Sequence, residues 1–351
     1  MKKVIKKIII PITVLTMIFG LTACGPRGNS DENSSGNSVE NNSENSVENN
    51  SASSTENSSE TSTVNSQAGN NQTAPEADND TEATQIITTL KGDVTIPVDP
   101  KRIVVAFFQG DLLALGINPV GTTFNDDAVF VEELGDVTVI DAWGLDPELV
   151  MSLKPDLIIW NNPDEYETLS KIAPTLIMDY YSMDYTQRLT FFGQITGKEE
   201  KAQELINGFK EKVAESKKKL SEAGKLDKTV ILLENQQNGS LRAFGNDYGR
   251  GGELIYNELG FNAPDRIMTE VIEAEGVSFI DISYEVLGEY SADYIFSDEN
   301  IKELADNQVF NSLSAVKEGR LIETNSGMFW FSDITSMNAQ LEFIVANILK
   351  H

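Results

Sequence analysis

The chain has 351 residues, with 27 lysines and arginines against 55 aspartates and glutamates, for a net charge of -28 at neutral pH. That balance argues against nucleic acid as a partner, because duplex binding needs cations to replace condensed counterions. The only cysteine is Cys24 and the only histidine is His351, which excludes an internal disulfide, a Cys/His zinc site, a Cys/His protease dyad and a Ser/His/Asp triad, while an all-carboxylate site or a pure binding function survives.

At the start, Lys2, Lys3, Lys6 and Lys7 precede an apolar run from Ile8 to Leu21, which ends at Leu21-Thr22-Ala23-Cys24. A basic segment, a short apolar core and a small-residue processing site make an export signal. The run is shorter than the ~20 apolar residues of a spanning helix. Leu-Thr-Ala-Cys resembles the bacterial lipobox, so residues 1–23 are expected to be a lipoprotein signal peptide and Cys24 the lipidation site. Two acyl chains there would hold the protein on the outer face of the cell membrane. Residues 25–85 contain 13 Ser and 13 Asn, no aromatic residue, and eleven acids against Arg27 alone. Such a stretch buries too little apolar area to offset the entropy of ordering, so residues 24–85 are expected to form a disordered tether, with an end-to-end distance of roughly 40 Å. Setting aside the four leader lysines and the net -10 of the tether leaves -22 for residues 86–351.

Those 266 residues are enough for two lobes. Short apolar runs at 102–108, 119–121, 156–160 and 175–178, and again at 229–233, 293–296 and 320–324, alternate with helical patterns and read as buried parallel strands. The fold class is α/β. Between the two sets, Ala202, Leu205, Ile206, Phe209 and Val213 recur at helical spacing. The expected division is an N-terminal lobe over 86–197, a single connecting helix over 198–224, and a C-terminal lobe over 225–351. An internal echo supports related lobes: Glu148 stands eight residues before Asp156, and Glu285 eight before Asp293, each aspartate opening an apolar run. Either both glutamates are first-turn helix residues that suit the helix dipole, or they are equivalent carboxylates, one per lobe, on the same face.

Six segments then carry a resemblance over roughly Ile96 to Leu349: Pro100-Lys-Arg-Ile-Val-Val105, Leu112-Leu-Ala-Leu-Gly-Ile-Asn-Pro-Val-Gly121, Leu153-Lys-Pro-Asp-Leu-Ile-Ile159, Ala173-Pro-Thr175, Phe244-Gly-Asn-Asp-Tyr-Gly-Arg-Gly-Gly-Glu-Leu254 and Ala315-Val-Lys-Glu-Gly-Arg320. The chain resembles the substrate-binding lipoproteins of ABC importers for iron-siderophores, haem and cobalamin, and within them the Gram-positive ferric-hydroxamate binders. The resemblance implies two Rossmann-like lobes joined by one long helix, with ligand in the cleft between them. The implied partners are an ABC permease with its ATPase and a ferric siderophore as ligand, with no resident cofactor and no enzymatic activity. A monomer is expected. Glu148 and Glu285 sit where the family pairs one glutamate per lobe with permease arginines, and Tyr248 and Arg250 sit where an aromatic residue and an arginine contact the siderophore.

The residue chemistry agrees with that assignment. Glycines 249, 251 and 252 permit close backbone approach, Arg250 can donate paired hydrogen bonds to hydroxamate oxygens, and Tyr248 offers a flat face. Trp330, within Phe329-Trp-Phe331, is a further cleft candidate. So, from the first lobe, are Phe107, Phe108 and Gln109 at the end of the first strand, and Trp143, Asn161 and Tyr185 after other strand ends. Arg242 stands where the closest family members lead us to expect an aromatic residue, and either adds a second cation to the cleft or faces water. A siderophore already fills the coordination shell of Fe(III), so no protein metal ligand is required. Near-neutral ferric hydroxamates suit the acidic lobes better than ferric tris-catecholates, which carry three negative charges. A haem or corrinoid receptor of the same fold stays open, as does a surface hydrolase with two carboxylates about 5–10 Å apart.

Overall fold

A computed structural model describes residues 83–89, 91–123, 129–179 and 182–351. The expected signal peptide, Cys24 and all but the last residues of the expected tether lie outside the described residues. The described chain opens with an antiparallel hairpin, β1 (Thr84–Thr89) and β2 (Gly92–Pro97), so Thr84 and Gln85, placed in the tether by composition, are strand residues. The hairpin buries Ile87 and Ile96, and Gln85 donates from Nε2 to the Ile195 carbonyl, which fastens it to the N-terminal lobe.

The first sheet contains β3 (Ile103–Val105), β4 (Gly121–Thr122), β5 (Thr138–Val139), β6 (Leu157–Trp160) and β7 (Thr175–Ile177). Its order is β5-β4-β3-β6-β7 and every pairing is parallel. Residues of β3 and β6 are buried on both faces, as uninterrupted apolar runs in a covered parallel sheet require. The strand order reverses between β3 and β6, which puts a crevice outside their carboxyl ends.

The second sheet contains β8 (Val230–Asn235), β9 (Ser240–Phe244), β10 (Phe279–Ser283), β11 (Tyr294–Ser297) and β12 (Leu321–Glu323), in the order β10-β9-β8-β11-β12. β9 runs antiparallel to both neighbours, so this lobe is mixed where a fully parallel sheet was expected. The short loop after Asn235 closes a β8–β9 hairpin, and the chain has no room there for a crossover helix.

Between the lobes runs the helix Glu199–Glu222, about 36 Å long at 1.5 Å per residue. It buries Ala202, Ile206, Phe209, Val213 and Leu220, and one apolar core continues past it through both lobes. Behind the cleft, Arg188 is buried and donates from Nε to Asp111 (2.7 Å) and from Nη2 to the Ser332 carbonyl (2.7 Å), tying the first lobe to the segment that starts the C-terminal helix Ile334–Lys350. Glu253 accepts from the Tyr185 N–H at 3.0 Å and makes a second tie.

The repeated Glu-to-Asp spacing has a structural counterpart. Asp156 accepts from the N–H groups of Lys101 (2.7 Å) and Arg102 (2.9 Å), and Asp293 accepts from the N–H (3.0 Å) and hydroxyl (3.2 Å) of Thr229. Each aspartate thus stands at the head of a central strand and staples the start of its parallel neighbour.

Candidate functional site

Cleft residues come from the carboxyl ends of strands in both lobes. A cavity of about 190 Å³ is lined by Phe107, Trp143, Asn161 and Asp179 from the first lobe and by Tyr248, Arg250 and Trp330 from the second. Phe107 follows β3, Asn161 follows β6 and Asp179 follows β7, so the crevice at the strand-order reversal is the wall in use. Trp143 is 83% exposed and meets Phe107 edge-on at 6.3 Å. A large apolar ring held in water beside a cavity is the kind of surface a ligand covers.

Phe108, expected in the cleft, is instead fully buried and packs against Phe192 at 5.8 Å. The backbone decides between the neighbours. Phe107 has φ 66°, a left-handed conformation unusual for an aromatic residue, and its N–H is held by the Thr123 hydroxyl at 3.1 Å. This turn sends Phe107 to the cavity and Phe108 to the core. Tyr185 and Gln109 are core residues as well, with Tyr185 packed edge-on to Phe209.

On the opposite wall, Arg250 stands among aromatic rings. Its guanidinium carbon lies 4.0 Å from the Trp330 ring centroid, 5.1 Å from that of Phe244 and 5.6 Å from that of Tyr248. Each such contact is worth about 0.5–2 kcal/mol, depending on desolvation. Nε donates to Glu234 at 3.1 Å, and among the described residues the two Nη groups have no hydrogen-bond partner. Glu234 was not anticipated, although its place near the end of the apolar strand β8 is the usual ligand edge of such a sheet.

Local sequence explains the cluster. Gly249, Arg250 and Gly251 all have positive φ (69°, 54° and 84°). A Cβ on Gly249 would stand 2.5 Å from the Trp330 carbonyl oxygen, and one on Gly251 2.9 Å from the Phe329 ring. The glycines therefore let the loop lie against the helix Ser326–Trp330, whereas the sequence suggested an approach to ligand. That contact brings Trp330 over Arg250. Trp330 is 40% exposed, while Phe329 and Phe331 are buried on either side of it.

Tyr248 stacks on Phe244 (5.8 Å, 22°) and meets Phe279 edge-on at 5.0 Å. Arg242 lies 4.1 Å from the Phe279 ring centroid and donates to both carboxylate oxygens of Asp281, at 2.9 and 3.2 Å. That hydrogen bonding raises the Arg242 pKa above its already high ordinary value. Of the two places the sequence left open for Arg242, neither is chosen by these contacts; they hold it against the ring stack behind Tyr248.

Glu148 and Glu285 are both exposed; Glu148 is in the first turn of the helix Pro147–Ser152, between β5 and β6, and Glu285 is in the first turn after β10, between β10 and β11. The N–H of Glu148 donates to the capping Asp146, while a hydrogen bond from Ser283 and a backbone N–H hold the Glu285 carboxyl below the usual carboxylate range. Among the described residues, no three His, Cys, Asp or Glu side chains gather as a metal site, and no helix is long and apolar enough to cross a membrane.

Residues 110–327 match the periplasmic binding protein family. The chain is 32% identical over 302 residues to the iron(3+)-hydroxamate-binding protein YxeB of Bacillus subtilis, covering 81% of this chain and 91% of that protein. It is 35% identical over 305 residues to the iron(3+)-hydroxamate-binding protein FhuD of the same organism, covering 80% and 92%. A crystal structure of a FhuD fold-family protein, the periplasmic binding component of a Fep/Fec-like ferrichrome ABC transporter from Bacillus subtilis, superposes with TM-score 0.68 at 32% identity, covering 76% of this chain and all of that one. With its two α/β lobes, its connecting helix and a match across most of its length, the chain belongs to the periplasmic binding protein family.

Proposed function

We propose that this protein captures a ferric siderophore of the hydroxamate type and delivers it to an ABC permease, and that it is a receptor, not an enzyme. The observation that carries this reading is Arg250, held between aromatic rings on the cleft wall with both Nη groups available to ligand oxygens. Charge supports it: among the described residues that line the cleft cavity, Arg250 is the one base and Asp179 the one acid, and Arg250 is already paired with Glu234, a lining better matched to a near-neutral complex than to one carrying three negative charges. Tyr248, Trp330, Trp143 and Phe107 supply flat faces for the ligand periphery.

Lipidation at Cys24, a tether that ends before the strand starting at Thr84, an N-terminal lobe up to residue 197 and a C-terminal lobe over 225–351 around the helix at 198–224, a monomeric state and a place on the outer membrane face complete the reading. In this account Glu148 and Glu285 dock to permease arginines and serve orientation more than affinity. Gel filtration of purified protein mixed with an iron-loaded trihydroxamate tests the capture step: one equivalent of iron should travel with the protein. Iron that elutes wholly with free ligand contradicts it.

A further inference from the structure

A second cavity, of about 230 Å³, opens into the C-terminal lobe at the carboxyl ends of β8, β11 and β12, and it shares with the cleft cavity only Arg250 and Trp330. Its volume is enough for a short chain.

One side is apolar, with Leu232, Phe296 and Phe329; the other presents Glu234, Ser297, Asp298 and Asn300. Arg250 is the one basic residue among the described residues that line it, and Arg250 is paired with Glu234. Asp298 accepts from Asn300 Nδ2 at 2.9 Å, and among the described residues no lysine or arginine pairs with it. Ser297, 2% exposed, lines the same cavity, and among the described residues its Oγ has no hydrogen-bond partner. A buried polar atom left without a partner is costly unless something fills the site. Burial, and then the neighbouring Glu234 carboxylate, push the Asp298 carboxyl up, so the wall lacks a countercharge.

We propose that this compartment receives a protonated primary amine at the end of an aliphatic arm of the ferric complex, with the ammonium on Asp298 and Ser297 and the methylenes along Phe296 and Phe329. A primary ammonium brings three donors and one positive charge to a wall of acceptors. The proposal rests on the siderophore reading above and adds to it the class of side arm that the protein selects.

Tryptophan fluorescence titration at pH 7 with ferrioxamine B, a trihydroxamate whose free arm ends in an ammonium, and with its N-acetylated form decides it. The ammonium form should bind at least tenfold more tightly, and Asp298→Asn should narrow the gap to less than threefold. Equal affinities in the wild type overturn the subsite and leave the hydroxamate reading intact. An undiminished gap in the variant overturns the assignment to Asp298, and failure of both complexes to bind the wild type overturns the hydroxamate reading itself. Should the variant not fold, the wild-type comparison still decides.

Discussion

At the scale of single residues, the cleft depends on choices that one backbone dihedral angle can reverse. Arg250→Ala should weaken ferric-hydroxamate binding by tenfold or more, on the ~1.5–3 kcal/mol scale of hydrogen bonds to charged groups, as measured by titration; unchanged affinity would remove Arg250 from the site. Phe108→Ala should act on stability instead, lowering it by about 3–5 kcal/mol in chemical denaturation as large core truncations do, because Phe108 is buried against Phe192. Tyr248 and Arg250 were legible because the glycines around them form a recognisable pattern. Phe107 and Phe108 could not be told apart, since their alternation is set by a positive φ at Phe107 that no neighbouring residue type announces. Glu234 shows in the sequence only as a charge at the end of an apolar strand, and its partner Arg250, 16 residues away, leaves no local pattern that joins the two.

At the scale of elements, the buried strands and the connecting helix were visible as apolar runs and as a stripe of period 3.6, because burial imposes those patterns directly. The hairpin β1–β2 was not, since its threonines and glutamine continue the polar composition before them and only Ile87 and Ile96 are fixed by packing. β9 carries its signal as alternation, with Leu241 and Ala243 inward and Arg242 outward, too short to distinguish from a loop. A testable consequence lies where the helix Tyr185–Thr196 meets the helical turn Glu253–Leu259. Burial is the main cause that raises Glu253 to about 7, opposed by the Tyr185 N–H and by Arg188. Between its unfolded value near 4.5 and about 7, the folded state holds a proton that the unfolded state has released, so this group's contribution to stability falls as pH rises. Glu253→Gln keeps an oxygen for the Tyr185 N–H and cannot titrate. Between pH 4.5 and 8, wild type should lose on the order of 1–3 kcal/mol relative to this variant, read from urea unfolding; a pH-independent difference would contradict the assignment.

At the scale of the whole molecule, ligand capture and docking are assigned to different surfaces. The cleft rings and Arg250 line the cavity, whereas Glu148 and Glu285 are exposed, one on each lobe. Replacing both glutamates with alanine should leave ligand affinity within about twofold of wild type and impair transport of the labelled complex into cells; impaired binding would mean that they belong to the ligand site. Arg188, buried between Asp111 and the Ser332 carbonyl, helps hold the lobes in one arrangement behind the cleft. The central claim is that the cleft prefers near-neutral ferric hydroxamates, and fluorescence titration tests it most directly because Trp143 and Trp330 both line the cavity. The account predicts saturable quenching by a ferrioxamine-type complex at micromolar concentration or below, with a ferric tris-catecholate at least tenfold weaker. No quenching by any hydroxamate complex, or tighter binding of the catecholate, would contradict it.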